Sequence, residues 1–155
     1  MADPVTDQFV DDLFEKLHTH RQVALTHAAS ASQARARVAE AARAWWEEFC
    51  QVVERKVHAW NAKDAPEARI RHTRNADGAM VLWHRSVDAQ LCLADARVVM
   101  TGRVGDTQPR QSPFIEFSEA RGSVSAILAG AHAAKSPSEA ADHLLTPILT
   151  HAFGG

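Results

Sequence analysis

The chain has 155 residues, 46% of them hydrophobic and 23% charged, with a formal net charge of −2. That length suffices for one buried core, and the near-neutral balance excludes generic nucleic-acid binding, which needs a basic excess to neutralise phosphates. The longest uncharged run, residues 122–134, is too short to cross a bilayer.

The acidic opening, "MADPVTDQFVDD", is unlike the basic start of a secretory signal. Cys50 and Cys92 are therefore expected as buried thiols in a reducing cytoplasm. Arginine and alanine abound and tyrosine is absent, a bias associated with GC-rich bacterial coding sequences.

From Val5 to Ala65 there is neither glycine nor proline. Pro4 suits a first helical turn, and Pro66 lies just past the end. Asp3 is placed to cap, and Asp7, Asp11 and Asp12 lie near the positive N-terminus. Leu13, Leu17, His20, Ala24, His27, Ala31, Ala34, Val38, Ala41 and Trp45 follow alternating steps of four and three, which keep one face in phase. The spacing predicts one very long helix over residues 4–64, roughly 90 Å at the usual rise. The alternative is a helical hairpin broken at residues 26–32, "THAASAS", where Ser and Thr compete for backbone hydrogen bonds.

Residues 68–128 change to strand patterns. "ARIRHTR", the turn signal "NADG" and "AMVLWHR" read as a hairpin. "VDAQLCLA" and "ARVVMTGRV" alternate apolar and polar residues. After a loop, "GDTQPRQSP", the runs "FIEFS" and "SVSAILA" flank a turn with Gly122 at a position needing positive φ. "SVSAIL" fits a strand or the start of a helix. Residues 137–152 form the last helix, with Ser136 as N-cap, Pro137 in its first turn and Glu139 completing a capping box. Pro147 is expected to kink it or start a second turn.

The predicted fold is α+β in a single domain, residues 1–155. A very long N-terminal helix carries an antiparallel meander of about six strands on its C-terminal half, and a short C-terminal helix covers an edge or end of the same face. The lid of the sheet is read as Trp45, Phe49, Val52 and Trp60, with Lys56 inside that stripe. Three readings of Lys56 compete: a snorkelling stem, a cation–π contact with Trp60, or a buried lysine facing a polar cavity.

No catalytic motif stands out. GxSxG, SxxK, Walker A, dinucleotide and CxxC patterns are missing, and no acid–base pair is defensible. The nine histidines are scattered. His18 and His20 diverge on a helix, while His20 with His27 and His143 with His151 have no third ligand; His132 lies in a loop. Neither a metal nor a cofactor is expected. "GRVG", Gly102–Gly105, has GxxG spacing but ends a strand, so its glycines are assigned to a bulge and a turn. Arg69, Arg71, Arg97 and Arg103 are candidates for a basic patch on the solvent face. His72 is expected opposite Val81 or Trp83.

Of three functional readings, an enzyme comes last, because fold alone licenses no chemistry. The first is a non-catalytic interaction or homo-oligomerisation module. Its interface would be the seam of Leu13, Leu17, Ala24, Ala31, Ala34 and Val38, paired as a coiled-coil homodimer. The second is a carrier or sensor of a small apolar ligand. Its cup would lie between the tryptophan-rich helix and the sheet, lined by Lys56, Trp60, Trp83, His84 and His72.

Overall fold

The structure is a computed structural model, and it describes residues 4–85, 87–104, 108–131 and 133–154. The side chains of residues 4–6 and 104 also lie outside what is described, as do the Asp3 cap, Gly105 of the GxxG stretch and His132. Helix α1 (Pro4–Asn61) is followed by a short 3-10 turn (Pro66–Ala68). Six strands come next: β1 (Arg71–Arg74), β2 (Met80–His84), β3 (Val87–Ala94), β4 (Arg97–Val104), β5 (Arg110–Ala120) and β6 (Ser123–Leu128). Helix α2 (Pro137–Gly154) ends the chain. The fold is α+β, as the sequence predicts. Its contacts divide it into two units, one ending at Arg37 and the other starting at Val38.

In the first unit α1 passes through "THAASAS" without a break. Thr26 explains part of this, because its Oγ1 donates to the Gln22 carbonyl at 2.9 Å and so satisfies itself inside the helix. Gln8 donates to Asp12 one turn on, at 2.9 Å. Residues 7–33 are all exposed.

In the second unit the strands form one antiparallel sheet in the order β1-β2-β3-β4-β5-β6. The β1–β2 turn is the predicted one, with Asp77 Oδ1 accepting from the Ala79 amide and Gly78 at φ 88°. Arg121 and Gly122 both have positive φ, 53° and 77°, which is the two-residue turn whose twist matches a hairpin. "SVSAIL" is therefore a strand.

One face of the sheet carries Met80, Leu82, Ala89, Leu91, Val98 and Ile115, all buried. Ala42, Trp46, Phe49, Cys50, Val53 and Val57 of α1 pack on it. This buried arc sits round the helix from the expected stripe. Phe49 and Val52 are buried as expected, whereas Trp45 and Trp60 are half-buried and Trp46 is buried instead. Trp45 stacks on Phe49 at 5.1 Å, meets the edge of Phe117 at 5.3 Å and donates to the Lys135 carbonyl at 3.3 Å. Trp46 lies on the other side of Phe49, at 5.7 Å, beneath the Arg74 guanidinium.

Strand β5 departs from the sequence reading. The stretch read as a loop through Pro113 is already strand from Arg110. Val98 pairs with Ile115 but Val99 pairs with Pro113, so Phe114 is an extra residue, a β-bulge. The bulge lies here and not at Gly102. It tolerates Pro113, which has no N–H for a ladder. It also turns Phe114 to the inner face beside Ile115, where its ring meets Phe49 at 5.8 Å.

Helix α2 packs on the same inner face through Ala140, Ala141, Leu144, Leu145 and Ile148, and it continues through Pro147 as one helix. The capping box is formed: the Glu139 amide donates to Ser136 Oγ, and the Ser136 amide donates to Glu139 Oε1, both at 3.2 Å. Hydrogen bonding to the Ser136 backbone and side chain lowers the Glu139 carboxyl from its ordinary value.

Two outcomes test this packing. Phe49→Ala removes a fully buried ring at the centre of the core, and chemical denaturation should show a loss of about 3–5 kcal/mol. Ser136→Ala should cost about 1 kcal/mol at neutral pH. Because the folded Glu139 carboxyl titrates low, its stabilisation is complete above the ordinary carboxylate range and fades as pH falls through the lowered value. The gap between Glu139→Gln and the parent, followed by thermal unfolding, should therefore close in acid.

Candidate functional site

Two of the residues expected to line a cup, Trp60 and His84, each turn a ring nitrogen to the chain itself, while His84 Nδ1 is buried with no partner among the described residues. Trp60 Nε1 donates to the Ala68 carbonyl at 2.8 Å. His84 Nε2 lies 2.6 Å from the Glu67 carbonyl, which can only accept, so Nε2 carries the proton. Asn61 exchanges two 2.8 Å bonds with the backbone of Ile70. Together these side chains clamp the connection between α1 and β1. Trp60 also meets the edge of Phe153 at 6.2 Å.

Lys56 is at the flank of the packed arc, its side chain 34% exposed, and pairs with Asp142 of α2. Its stem packs and its ammonium reaches a carboxylate; an exposed pair of this kind is worth about 0–1 kcal/mol. The cation–π contact in this region belongs to Arg74 over Trp46, 5.9 Å from the ring centre, and not to Lys56 over Trp60. Glu47 holds the same Arg74 at 3.2 Å.

His72 is opposite Leu82, not Val81 or Trp83, and it is exposed near Glu54 and His58 of α1. Trp83 points to the outer face, in a cross-strand row Arg71–Trp83–Asp88–Arg103. His72 and Trp83 are thus on opposite faces of the sheet. Within the expected basic patch, Arg103 is paired with Asp88 at 2.9 Å and Arg97 is opposite Glu116. The Arg103 charge is thereby matched.

Among the seam residues, Leu13, Leu17, Ala24 and Ala31 are exposed, and Ala34 is half-buried. Val38 belongs to the second unit and packs against its core. Phe9, Val10, Phe14, Val23 and Leu25 extend the exposed apolar surface, with Phe14 67% exposed.

A cavity of about 850 Å³ lies elsewhere, between α2 and the inner face of β3–β5. Part of its floor is small: Ala89 is paired with Gly102, while Ser112 stands opposite Met100, which shares that face and also lines the cavity. Its walls are Val87, Phe114 and Leu128 from the sheet and Leu144, Pro147 and Ile148 from α2. His143 and His151, eight residues apart on one side of α2, also face it.

Arg110 lines its mouth. It is opposite Gly102 and shares that residue's inner face, so no side chain stands across from it. The spacing of polar residues did not mark this site, because "RQSP" reads as loop. The doublet Phe114–Ile115 after a proline was the available signal of a bulge.

Among the described residues no helix is long and apolar enough to cross a membrane, and no cluster of three or more His, Cys, Asp or Glu could hold a metal ion. No family model matches the chain, and neither a curated protein nor a solved structure matches it. Fold and cavities together define an α+β protein with a two-helix cover on one sheet face and an open cleft under the second helix.

Both thiols are free, but only Cys50 is buried; Cys92 is half-buried, contrary to the expectation that both lie inside. Burial pushes the Cys50 thiol up from 9.0 to about 12, against the opposing pull of Arg74. An unfolded thiol ionises near its ordinary value while the native one stays protonated, so Cys50 should lower stability as pH rises from 9.0 towards about 12. Urea melts across that range should show the decline, and Cys50→Ala should flatten it. A thiol reagent at neutral pH should modify Cys92 in the native protein and reach Cys50 only after unfolding.

Proposed function

We propose that the protein is a self-associating module, a homodimer joined through residues 7–37 of α1. What supports this is the exposure of Phe9, Val10, Leu13, Phe14, Leu17, Val23 and Leu25 along one helix. An isolated helix is marginal in water, and apolar surface left in water forfeits roughly 25 cal/mol per Å². A second copy removes both costs.

Charge and size favour an antiparallel coiled-coil arrangement. Asp7, Asp11, Asp12 and Glu15 crowd the first turns, whereas residues 16–39 carry Lys16, Arg21, Arg35 and Arg37 and no acidic residue. Antiparallel pairing sets the acidic stretch of one copy beside Arg35 of the other. It also sets Phe9, Leu13 and Leu17 on the small residues Ala24, Ala28 and Ala31, and it opposes the helix dipoles. The symmetric pairing closes at two copies. Two unpaired thiols fit a reducing cytoplasm as its compartment.

Light scattering after size exclusion should give twice the 17.0 kDa chain mass at micromolar concentration. Leu13→Lys with Leu17→Lys should give the monomer with the sheet intact, and raised salt should weaken the parent dimer. A parent monomer at every concentration, with residues 7–37 still helical, would discard the reading.

A further inference from the structure

We infer that the cleft between α2 and the β3–β5 floor is a binding site for a small amphipathic carboxylate, with its apolar tail under α2 and its carboxylate at Arg110. The inference is independent of self-association. Three observations carry it.

The first is space with a structural cause. Ala89, Gly102 and Ser112 keep part of the floor low beside Met100, and the volume of about 850 Å³ falls within the range of small-molecule sites. The second is the lining. Val87, Phe114, Leu128, Leu144, Pro147 and Ile148 offer a hydrocarbon tail an apolar wall. The third is the head group. Arg103 is matched by Asp88 and Arg74 by Glu47. Arg110 lines the mouth, and no described acidic residue pairs with it. A guanidinium accepts a carboxylate through two parallel hydrogen bonds, which a neutral head cannot reproduce.

His143 lines the opposite wall from α2, its ring near Phe114. One anionic head is thus served at one end of the cleft, and the remaining wall stays mainly apolar.

Decanoate and its neutral counterpart decanol are the probes, measured by titration calorimetry on the full chain. Decanoate should bind saturably at one per chain. Arg110→Glu should weaken decanoate by roughly ten- to a hundredfold, the worth of a charged hydrogen-bonded pair, and leave decanol unchanged.

Gly102→Leu and Ser112→Leu should each abolish binding of both probes by filling the floor. A Cβ at Gly102 meets only the Asp88 carbonyl, at an ordinary 3.7 Å, so that strand accepts a side chain, and circular dichroism verifies folding of each variant. If one variant fails to fold, the other decides. Three results would overturn the inference: no saturable binding of decanoate by the folded parent, equal decanoate affinity in Arg110→Glu, or undiminished affinity in a folded floor variant.

Discussion

Adjacent residues on a helix diverge by about 100°, so Trp45 and Trp46 cannot both face the same partner. They straddle Phe49 instead. Trp46 closes the β1–β2 side under Arg74, and Trp45 closes the β5–β6 side against Phe117 and the Lys135 carbonyl. The seating of this aromatic group on Met80, Leu91, Val98 and Ile115 sets where every later element can go. It fixes the end of α1, and with it the segment that Trp60, Asn61 and His84 clamp before β1. It also leaves a flank along α1 for α2, held there by Lys56–Asp142 and Trp60–Phe153.

The second constraint is the bulge at Phe114. Side chains alternate along a strand, so an unbroken β5 would turn Arg110 and Ser112 away from the face that buries Ile115 and Phe117. One extra residue brings all of them to the inner face. The inner face is consequently of two kinds. Beneath α1 it is large, apolar and close-packed; beneath α2 it mixes small and polar residues with Met100 and Phe114. Helix α2 leaves the gap open: Leu145 and Ala141 are committed to the core, and a Cβ at Gly102 would meet only the Asp88 carbonyl within 4 Å.

Much of this was legible in the sequence. Long gaps without Gly or Pro, period-two runs and the Ser136–Glu139 spacing identify α1, the meander and α2, because each depends on local rules that neighbouring residues obey together. The site residues were less legible. Lys56 falls inside a stripe drawn by steps of four and three, yet a straight helix drifts relative to a seven-residue repeat, and the buried arc moves to Val53 and Val57. Trp60 and His84 are the polar-tipped residues one expects around a ligand, but the α1–β1 connection has backbone carbonyls that need donors and takes them. Arg110 was missed because its face depends on a bulge four residues away. Its chemistry is set by register, which no single residue encodes.

The first unit raises a different question, since residues 7–33 are exposed throughout and no large side chain there is covered. Helix formation has a costly nucleus and cheap propagation. The stretch from Val38 to Asn61, fixed by the core, supplies that nucleus, and residues before it add one hydrogen bond each as the helix extends. Thr26 remains compatible because its hydroxyl bonds within the helix. Propagation accounts for a helix here but not for Phe9, Leu13, Phe14 and Leu17 on its surface. A helix that only needed to persist would be served by the Ala, Gln and Arg of residues 28–43. Large apolar residues concentrated at one end, small ones at the other and charge separated between them are what a reversed second copy uses. The composition of residues 7–37 is thus the feature on which the proposed pairing rests.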